Sequence, residues 1–402
     1  MKICGIVAEY NPFHTGHLYQ IERVREQIGK DCTIVCVMSG NYVQRGDTAI
    51  FPKQIRAEAA LQCGADLILE LPLTWSLAPA ERFAQGAIEI LHQTGVVQYL
   101  SFGSEETDMK ALWGIAEAAD TVAADELQLI WMNQGLSAPA AKQKAMEQIL
   151  GEKSRVLMRP NAMLAVSYLR AMKKFGSTFR VVPILRQGAE HDAEIPGQHF
   201  ASASFLRDCI KTGEWEKTIR FLPSKAAELF RQAENDGVGP VFFEGGAGER
   251  AILSRLRGMS KELFQMLPEA GGGLSQRIWR AVQETDSVVA LLQACKIKRY
   301  TYAHIRRLIV RAFLDIQKTD FTENIPYLRV LGFSQRGREV LAQMRNRAKC
   351  PIVIKFSDGV KLGGEAEHHL KLEARATALY GLCTPRVLHA QQEWRMNPVI
   401  IT

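Results

Sequence analysis

Two spacings of apolar residues alternate along the first hundred residues. Lys2 to Ala8, Asp31 to Met38, Asp66 to Leu71 and Val97 to Phe102 are short, nearly continuous apolar runs, the kind that a parallel sheet buries on both faces. Between them apolar positions recur at helical intervals: Leu18, Ile21 and Val24 after His17; Ile55, Ala59 and Leu61 after Lys53, with Gly64 as a stop; then Ala84 to Gln93. Strand alternating with helix predicts right-handed βαβ units and a parallel sheet. After Gly103 the helical interval takes over through Met109 to Gln134, Ala140 to Leu150 and Ala162 to Lys174, which reads as an insertion or lid. Arg180 to Leu185 returns as a strand and Ser202 to Lys211 as a serine-capped helix. From Trp215 onward strands are scarce and helices prevail, with breaks near Asp236-Gly237, at Gly245 to Gly248 and at Gly271 to Gly273. The expected organisation is an α/β first domain over residues 1–215, its sheet interrupted by a helical insertion, and a mostly α-helical domain over 216–402. The apolar run Pro351 to Phe356 has no assigned role in that scheme.

Composition narrows the class. With 402 residues, 47% hydrophobic and 23% charged, the chain can bury a large interior, and disorder, coiled coil and fibre are excluded. No uncharged apolar stretch reaches the roughly 18 to 20 residues of a membrane span. The opening residues lack the small-residue cleavage site of an exported protein, so the cytoplasm is the expected compartment. Eight cysteines show neither a CxxC pair nor a His/Cys cluster at metal-ligand spacing, so reduced core thiols and no protein-held metal are expected. The net charge of +7 is unevenly placed: Arg277 to Lys349 holds fifteen Lys/Arg against six Asp/Glu, which points to a polyanionic partner.

The candidate chemistry lies at the first turn from strand to helix. Ile6-Val7-Ala8-Glu9-Tyr10-Asn11-Pro12-Phe13-His14-Thr15-Gly16-His17 leaves a buried strand, crosses a polar turn and enters a helix that continues with Leu18, Tyr19 and Gln20. A helix N-terminus offers unpaired N–H groups and about half a positive charge, and two imidazoles three residues apart share one face of its first turn. Gly16 between them leaves room for a phosphate. Ligands of open α/β sheets bind beyond the carboxyl ends of the strands, which selects two further residues. Gly103 follows the Val97 to Phe102 run, and Arg186 follows Arg180 to Leu185. A turn glycine and a surface ion pair are the respective alternatives. Asn161 is placed to cap the helix that follows it or to meet a base or ribose, with capping favoured. Ser202 and Ser204, ahead of Arg207, form a second phosphate cradle or simply cap their helix. Lys53, Arg56 and Asp47 read as a solvated face.

Strand, Asn-Pro-Phe-His-x-Gly-His and helix together resemble the nucleotidyltransferase superfamily, with its Rossmann-like sheet, and Ser202 to Arg207 is similar to its later Ser-rich phosphate motif. Glu9 to His14, Met38-Ser39-Gly40-Asn41-Tyr42-Val43-Gln44-Arg45-Gly46, Pro160-Asn161, Lys298 to Ala303 and Leu331-Gly332-Phe333 narrow the resemblance to the bacterial tRNA(Met) cytidine acetate ligase family. That resemblance runs nearly end to end. It implies activation of acetate by ATP to acetyl-adenylate with release of pyrophosphate. The acetyl group then passes to the wobble cytidine of elongator tRNA(Met), giving N4-acetylcytidine. It also implies ATP contacts from Val7 to Gln20, Gly103, Asn161 and Arg186.

Attack of acetate on the α-phosphate crowds negative charge, so the expected catalytic groups are His14, His17 and Arg186, with Mg²⁺ sharing the load. Lys296, Lys298, Arg299, Tyr300, Arg306 and Arg307, on the basic segment, interleave cations with aromatic rings and are the candidate tRNA surface; no DNA partner is expected. An exposed basic helix with its tyrosines packed inward is the plainer alternative. Two other functions fit parts of the pattern. One is a small-molecule adenylyltransferase of cofactor biosynthesis, which shares the histidines but has no need of the basic segment. The other is a non-catalytic nucleotide- or RNA-binding protein.

Overall fold

The computed structural model describes residues 1–186 and 200–402. Its centre is the sheet that the apolar runs predict. β1 (Ile3–Ala8), β2 (Thr33–Ser39), β5 (Leu67–Leu71), β6 (Tyr99–Ser104) and β7 (Arg180–Leu185) pair in parallel in the order β5-β2-β1-β6-β7. Ile3↔Thr33 through Ala8↔Met38 fixes the register of β1 on β2, and Cys4↔Tyr99 through Ile6↔Ser101 fixes it on β6. Successive residues of a strand point to opposite faces. Ile3, Val35, Val37, Leu67 and Leu69 therefore enter one core with Phe83, Ile88 and Leu91 of the Ala80–Gln93 helix and Val166 and Leu169 of the Pro160–Phe175 helix. Cys4, Ile6, Cys36, Met38 and Ile68 enter the other, with Ile21 and Val24 of the Thr15–Ile28 helix and Ala57 and Ala60 of the Lys53–Gln62 helix. Both faces are covered, which is why these strands read as unbroken apolar runs.

Three features depart from the expectation. Met109 to Gln134 is two helices, Met109–Ala118 and Val122–Asn133, because Thr121 between them caps the second through the Ala124 N–H. The sheet also draws on residues beyond 215. β8 (Leu328–Phe333) runs antiparallel beside β5, and β9 (Ile352–Val353) and β10 (Val399–Ile400) pair with β8 in parallel. The run Pro351 to Phe356 thus includes a strand. Finally, β3 (Tyr42–Val43) and β4 (Asp47–Thr48) form a small antiparallel ribbon standing off the main sheet. The helices of the later half bury a core of their own, including Ile278, Leu291, Ile305, Leu308, Ile309 and Phe313, which also takes in Tyr42 of the ribbon. Among the described residues no helix is long and apolar enough to cross a membrane.

Candidate active site

The turn after β1 delivers His14 to the N-cap of the Thr15–Ile28 helix, with extended backbone at φ −139° and ψ 174°. The two imidazoles then cap reciprocally. His14 Nδ1 accepts the Gly16 N–H at 3.0 Å, and His17 Nδ1 accepts the His14 N–H at 3.2 Å. The rings stack with centroids 3.8 Å apart. Since each Nδ1 is an acceptor, each neutral ring carries its proton on Nε2. Burial, with Arg186 and Arg207 nearby, holds His14 down from 6.5 to about 3; burial, His14 and Arg186 hold His17 well below its ordinary value. The pair is therefore neutral at physiological pH, with two Nε2–H donors as its polar output.

This changes the reading of the helix terminus. The Thr15 N–H is bonded to the Phe221 carbonyl at 2.9 Å, that of Gly16 to His14 Nδ1, and that of His17 to the His14 carbonyl at 2.9 Å. The first-turn amides that were expected to greet an anion are satisfied internally, so the imidazoles must do that work. Gly16 has a different reason as well: a Cβ there would lie 2.8 Å from His14 Cε1, so its lack of a side chain makes room for the capping ring.

His14, Gly16, His17, Tyr19 and Gln20 form one wall of an open cleft, facing Gly103, Ile184, Arg186 and Phe200. The cleft sits over the carboxyl ends of β1, β6 and β7, as the strand-end rule requires. Arg186 donates its backbone N–H to the Ser104 carbonyl at 3.0 Å, and a Cβ on Gly103 would meet its Cγ at 3.4 Å. The rest of the Val7 to Gln20 stretch supports rather than lines the cleft. Val7 and Ala8 are paired to β2. Tyr10 and Phe13 are buried behind His17, at ring distances of 4.9 and 5.5 Å. Leu18 packs against the same core. Pro12 follows Asn11, whose side-chain oxygen accepts the Ile50 N–H at 2.8 Å.

Asn161 does not cap its helix. It lies inside the Pro160–Phe175 helix, whose N-cap is Arg159, and donates its amide to Glu105 Oε1 at 2.5 Å. Glu105 Oε2 accepts the Ala162 N–H at 2.9 Å, so the carboxylate after β6 performs the capping. Proline at the first helical position leaves that role open to a residue from another segment, which nothing local reveals. Ser202 does cap, accepting the Phe205 N–H at 3.1 Å. Ser204 accepts from Arg207, which also donates to the Asn11 carbonyl at 2.9 Å and so ties the serine motif to the histidine turn.

On the other flank of β1 the supposed solvated face is interior. Lys53 and Arg56 are fully buried. The Arg56 guanidinium donates to the carbonyls of Glu9, Ser39, Gly40 and Phe51, gathering the ends of β1 and β2. Lys53 pairs with Glu70 at 2.6 Å and with Glu393 at 2.8 Å, and Arg329 and Glu373 complete the cluster.

Within the basic segment Arg307, Arg311 and Arg329 are buried, while most of the other cations are exposed. Arg306 is held between Asp47 and Glu244. Arg307 is buried and donates to the Gln44 carbonyl, and Arg311 pairs with Glu269. Gly46, at φ 79°, packs its Cα face on the backbone of Arg306 and Arg307, where a Cβ would lie 2.3 Å from the Arg307 nitrogen. These arginines grip the β3–β4 ribbon instead of facing solvent. Lys298, Arg299 and Tyr302 are exposed. Lys296 donates to the carbonyls of Ile297 and Tyr300, while Tyr300 turns inward, its hydroxyl on the Gly271 carbonyl at 2.8 Å and its ring stacked on His304.

The family model described as HIGH Nucleotidyl Transferase matches residues 1–394. The tRNA(Met) cytidine acetate ligase of Acetivibrio thermocellus is 32% identical, covering 100% of both chains, and that of Thermotoga maritima is 33% identical over 98% of this chain and 99% of its own. The apo crystal structure of Thermotoga maritima TmcAL superposes with a TM-score of 0.93 at 31% identity, covering 100% of each chain. The same protein bound with alpha-thio ATP gives 0.91 at 31% identity, over 100% of this chain and 99% of that one.

Proposed function

Because the chain belongs to the HIGH nucleotidyl transferase family, with tRNA(Met) cytidine acetate ligases as full-length relatives, we propose that it activates acetate with ATP and acetylates the wobble cytidine of elongator tRNA(Met). The observation that carries this reading is the stacked pair His14 and His17, each with Nδ1 engaged as a cap and Nε2–H left as a donor in a cleft that also holds Arg186. Acetate oxygen attacks the α-phosphorus of ATP and pyrophosphate departs. The charge that builds on the bridging and leaving oxygens meets two neutral donors and one permanent cation. Gly103 lines the same cleft and is assigned to the nucleoside side, whereas Asn161, bonded to Glu105, is not among the residues that line it. A magnesium ion would arrive with the triphosphate and spread its charge, as it does in other phosphoryl-transfer sites. Among the described residues no group of three or more His, Cys, Asp or Glu is arranged to hold a metal of the protein's own.

The second half-reaction needs an RNA surface, and we assign it to the later, basic part of the chain, residues 216–402, working in the cytoplasm. Among the candidates between Lys296 and Arg307, Lys298 and Arg299 are exposed beside the exposed Tyr302, with Lys296 5.5 Å from the Tyr302 ring. Phosphate contacts predict that tRNA affinity falls steeply with salt.

The test is ATP–pyrophosphate exchange with a panel of acids, followed by transfer of labelled acetate to an elongator tRNA(Met) transcript. Exchange that depends on acetate, with label in the RNA, is the expected result. Exchange that depends on a phosphorylated metabolite, or none with any acid, contradicts the proposal.

A further inference from the structure

Transfer of an acetyl group to an amine sets free a proton, and the two histidines that serve the first step are poorly placed to take it. Both Nδ1 atoms accept backbone N–H groups and both Nε2 atoms carry hydrogen, so neither ring has a lone pair to offer without breaking its cap. Other carboxylates near the strand ends are also engaged. Both oxygens of Glu105 hold the start of the Pro160–Phe175 helix. Asp47 accepts the Thr48 N–H and pairs with Arg306. Glu70 is buried against Lys53.

Glu9 differs. It is the residue directly after β1, half-buried, and its Oε1 is fixed by the Ser39 hydroxyl at 3.2 Å and the Gln44 N–H at 2.7 Å. Its other oxygen, Oε2, receives no hydrogen bond among the described residues. Its bond to the Gln44 N–H and its position directly before the Tyr10 to His14 turn set it between the histidine turn and the β3–β4 ribbon. The ATP cleft is walled by residues over β1, β6 and β7, and Glu9 is not among them. It stands on the β2 side of β1, anchored to the last residue of β2 and to the ribbon that Arg306 and Arg307 clamp.

We propose that Glu9 is the general base of the second step, taking the proton from the cytosine amine through Oε2. The proposal rests on the function given above. With the nucleotide over β6 and β7, this carboxylate would meet the cytosine amine from the β2 flank of an acyl-adenylate. The N4 lone pair attacks the acetyl carbonyl carbon and forms the C–N bond. The bond from that carbon to the phosphate oxygen of AMP breaks, AMP leaves with the electron pair, and the N4 proton moves to Glu9 Oε2. The two anchors on Oε1 aim the free oxygen and keep the carboxylate from swinging into the ATP cleft.

The full-length chain is tested with ATP, labelled acetate and an elongator tRNA(Met) transcript, measuring acetate-dependent pyrophosphate exchange beside single-turnover transfer. Glu9→Gln is expected to lower transfer by roughly 10²-fold or more beyond any fall in exchange, as loss of a general base does. Glu9→Asp, with a shorter reach, is expected to regain part of that loss. Equal losses in exchange and transfer, or transfer at the wild-type rate, each overturn the assignment, and the second hands the proton to the departing phosphate or to water. A wild-type chain without acetate-dependent exchange overturns the functional reading itself, and this proposal with it.

Discussion

Two clusters of buried polar side chains flank the end of β1, and they solve opposite problems. On the β6 side, His14 and His17 are held neutral, with one nitrogen of each ring tied to backbone and the other left as a donor at the wall of an open cleft. On the β5 side, Lys53, Glu70, Glu373, Glu393 and Arg329 keep formal charges inside the protein by pairing them with each other. Burial pushes the Glu70 and Glu373 carboxyls up, while the neighbouring carboxylates of Glu393 and Glu70 overcome burial and push the Lys53 ammonium up. A buried group is available to a ligand only when its neighbours leave part of it unsatisfied. The ionic cluster leaves Glu70 Oε2 and Arg329 Nε without a hydrogen bond among the described residues but sealed in the interior, whereas the histidine pair presents its free donors at the wall of an open cleft. Burial and unusual titration alone therefore do not mark a catalytic centre in this molecule.

The ionic cluster offers the largest test of that contrast. Lys53→Met leaves Glu70 and Glu393 without their common cation, and breaking a buried pair from one side costs about 3–5 kcal/mol. The urea midpoint should fall accordingly, and Glu393→Gln added to Lys53→Met should recover part of the loss. An unfolding free energy within about 1 kcal/mol of the wild type would mean that water reaches the cluster and that it is not a sealed structural element. On the other flank, His14→Ala should slow acetate-dependent exchange by roughly 10² to 10³, about 3 to 4 kcal/mol in the barrier, while costing only about 1 kcal/mol of stability for the lost cap. His14→Asn separates the two roles, since asparagine is a good N-cap but lacks the Nε2–H donor. Its melting temperature should match the wild type and its exchange rate should match His14→Ala. Wild-type exchange by the Asn variant would reduce His14 to a cap.

Much of the cleft was legible in the sequence because its parts are local. A run of apolar residues, a turn and the pair His14 and His17 lie within one stretch of chain, and Gly103 and Arg186 follow strands that their own apolar runs announce. What the sequence concealed depends on partners distant along the chain. Lys53 meets Glu393 across 340 positions, Asn41 bonds Thr377 across 336, and β8 inserts beside β5 with the opposite direction. Charge counting failed at Arg306, Arg307 and Arg311 for the same reason. Their acceptors are Asp47, Glu244, Glu269 and the Gln44 carbonyl, on other segments, and only the packed structure shows that these cations face inward. Glu105 was missed because a helix that opens with proline gives no sign of where its cap comes from.

Acidification gives the smallest and most specific test of the difference between the clusters. The folded-state values of His14 and His17 lie below the unfolded one, so the unfolded chain binds protons that the folded chain refuses. Their contribution to stability is complete above about 6.5 and is lost as pH falls from there towards 3, the folded value of His14. Each unit of pH across that window costs up to about 1.4 kcal/mol per histidine, which places the first measurable loss between pH 6.5 and 5.5. Glu70 and Glu373 act in the opposite sense, because their folded-state values are raised and acid relieves rather than strains them. Thermal melts of the wild type should therefore fall below pH 6.5, and His14→Asn should flatten that fall. A triphosphate analogue should oppose the loss, since an anion against Nε2 favours the protonated ring. If the wild type and His14→Asn lose stability in parallel between pH 7 and 5, the imidazoles are not held neutral by the fold, and the division between donor cleft and sealed charge loses its physical basis.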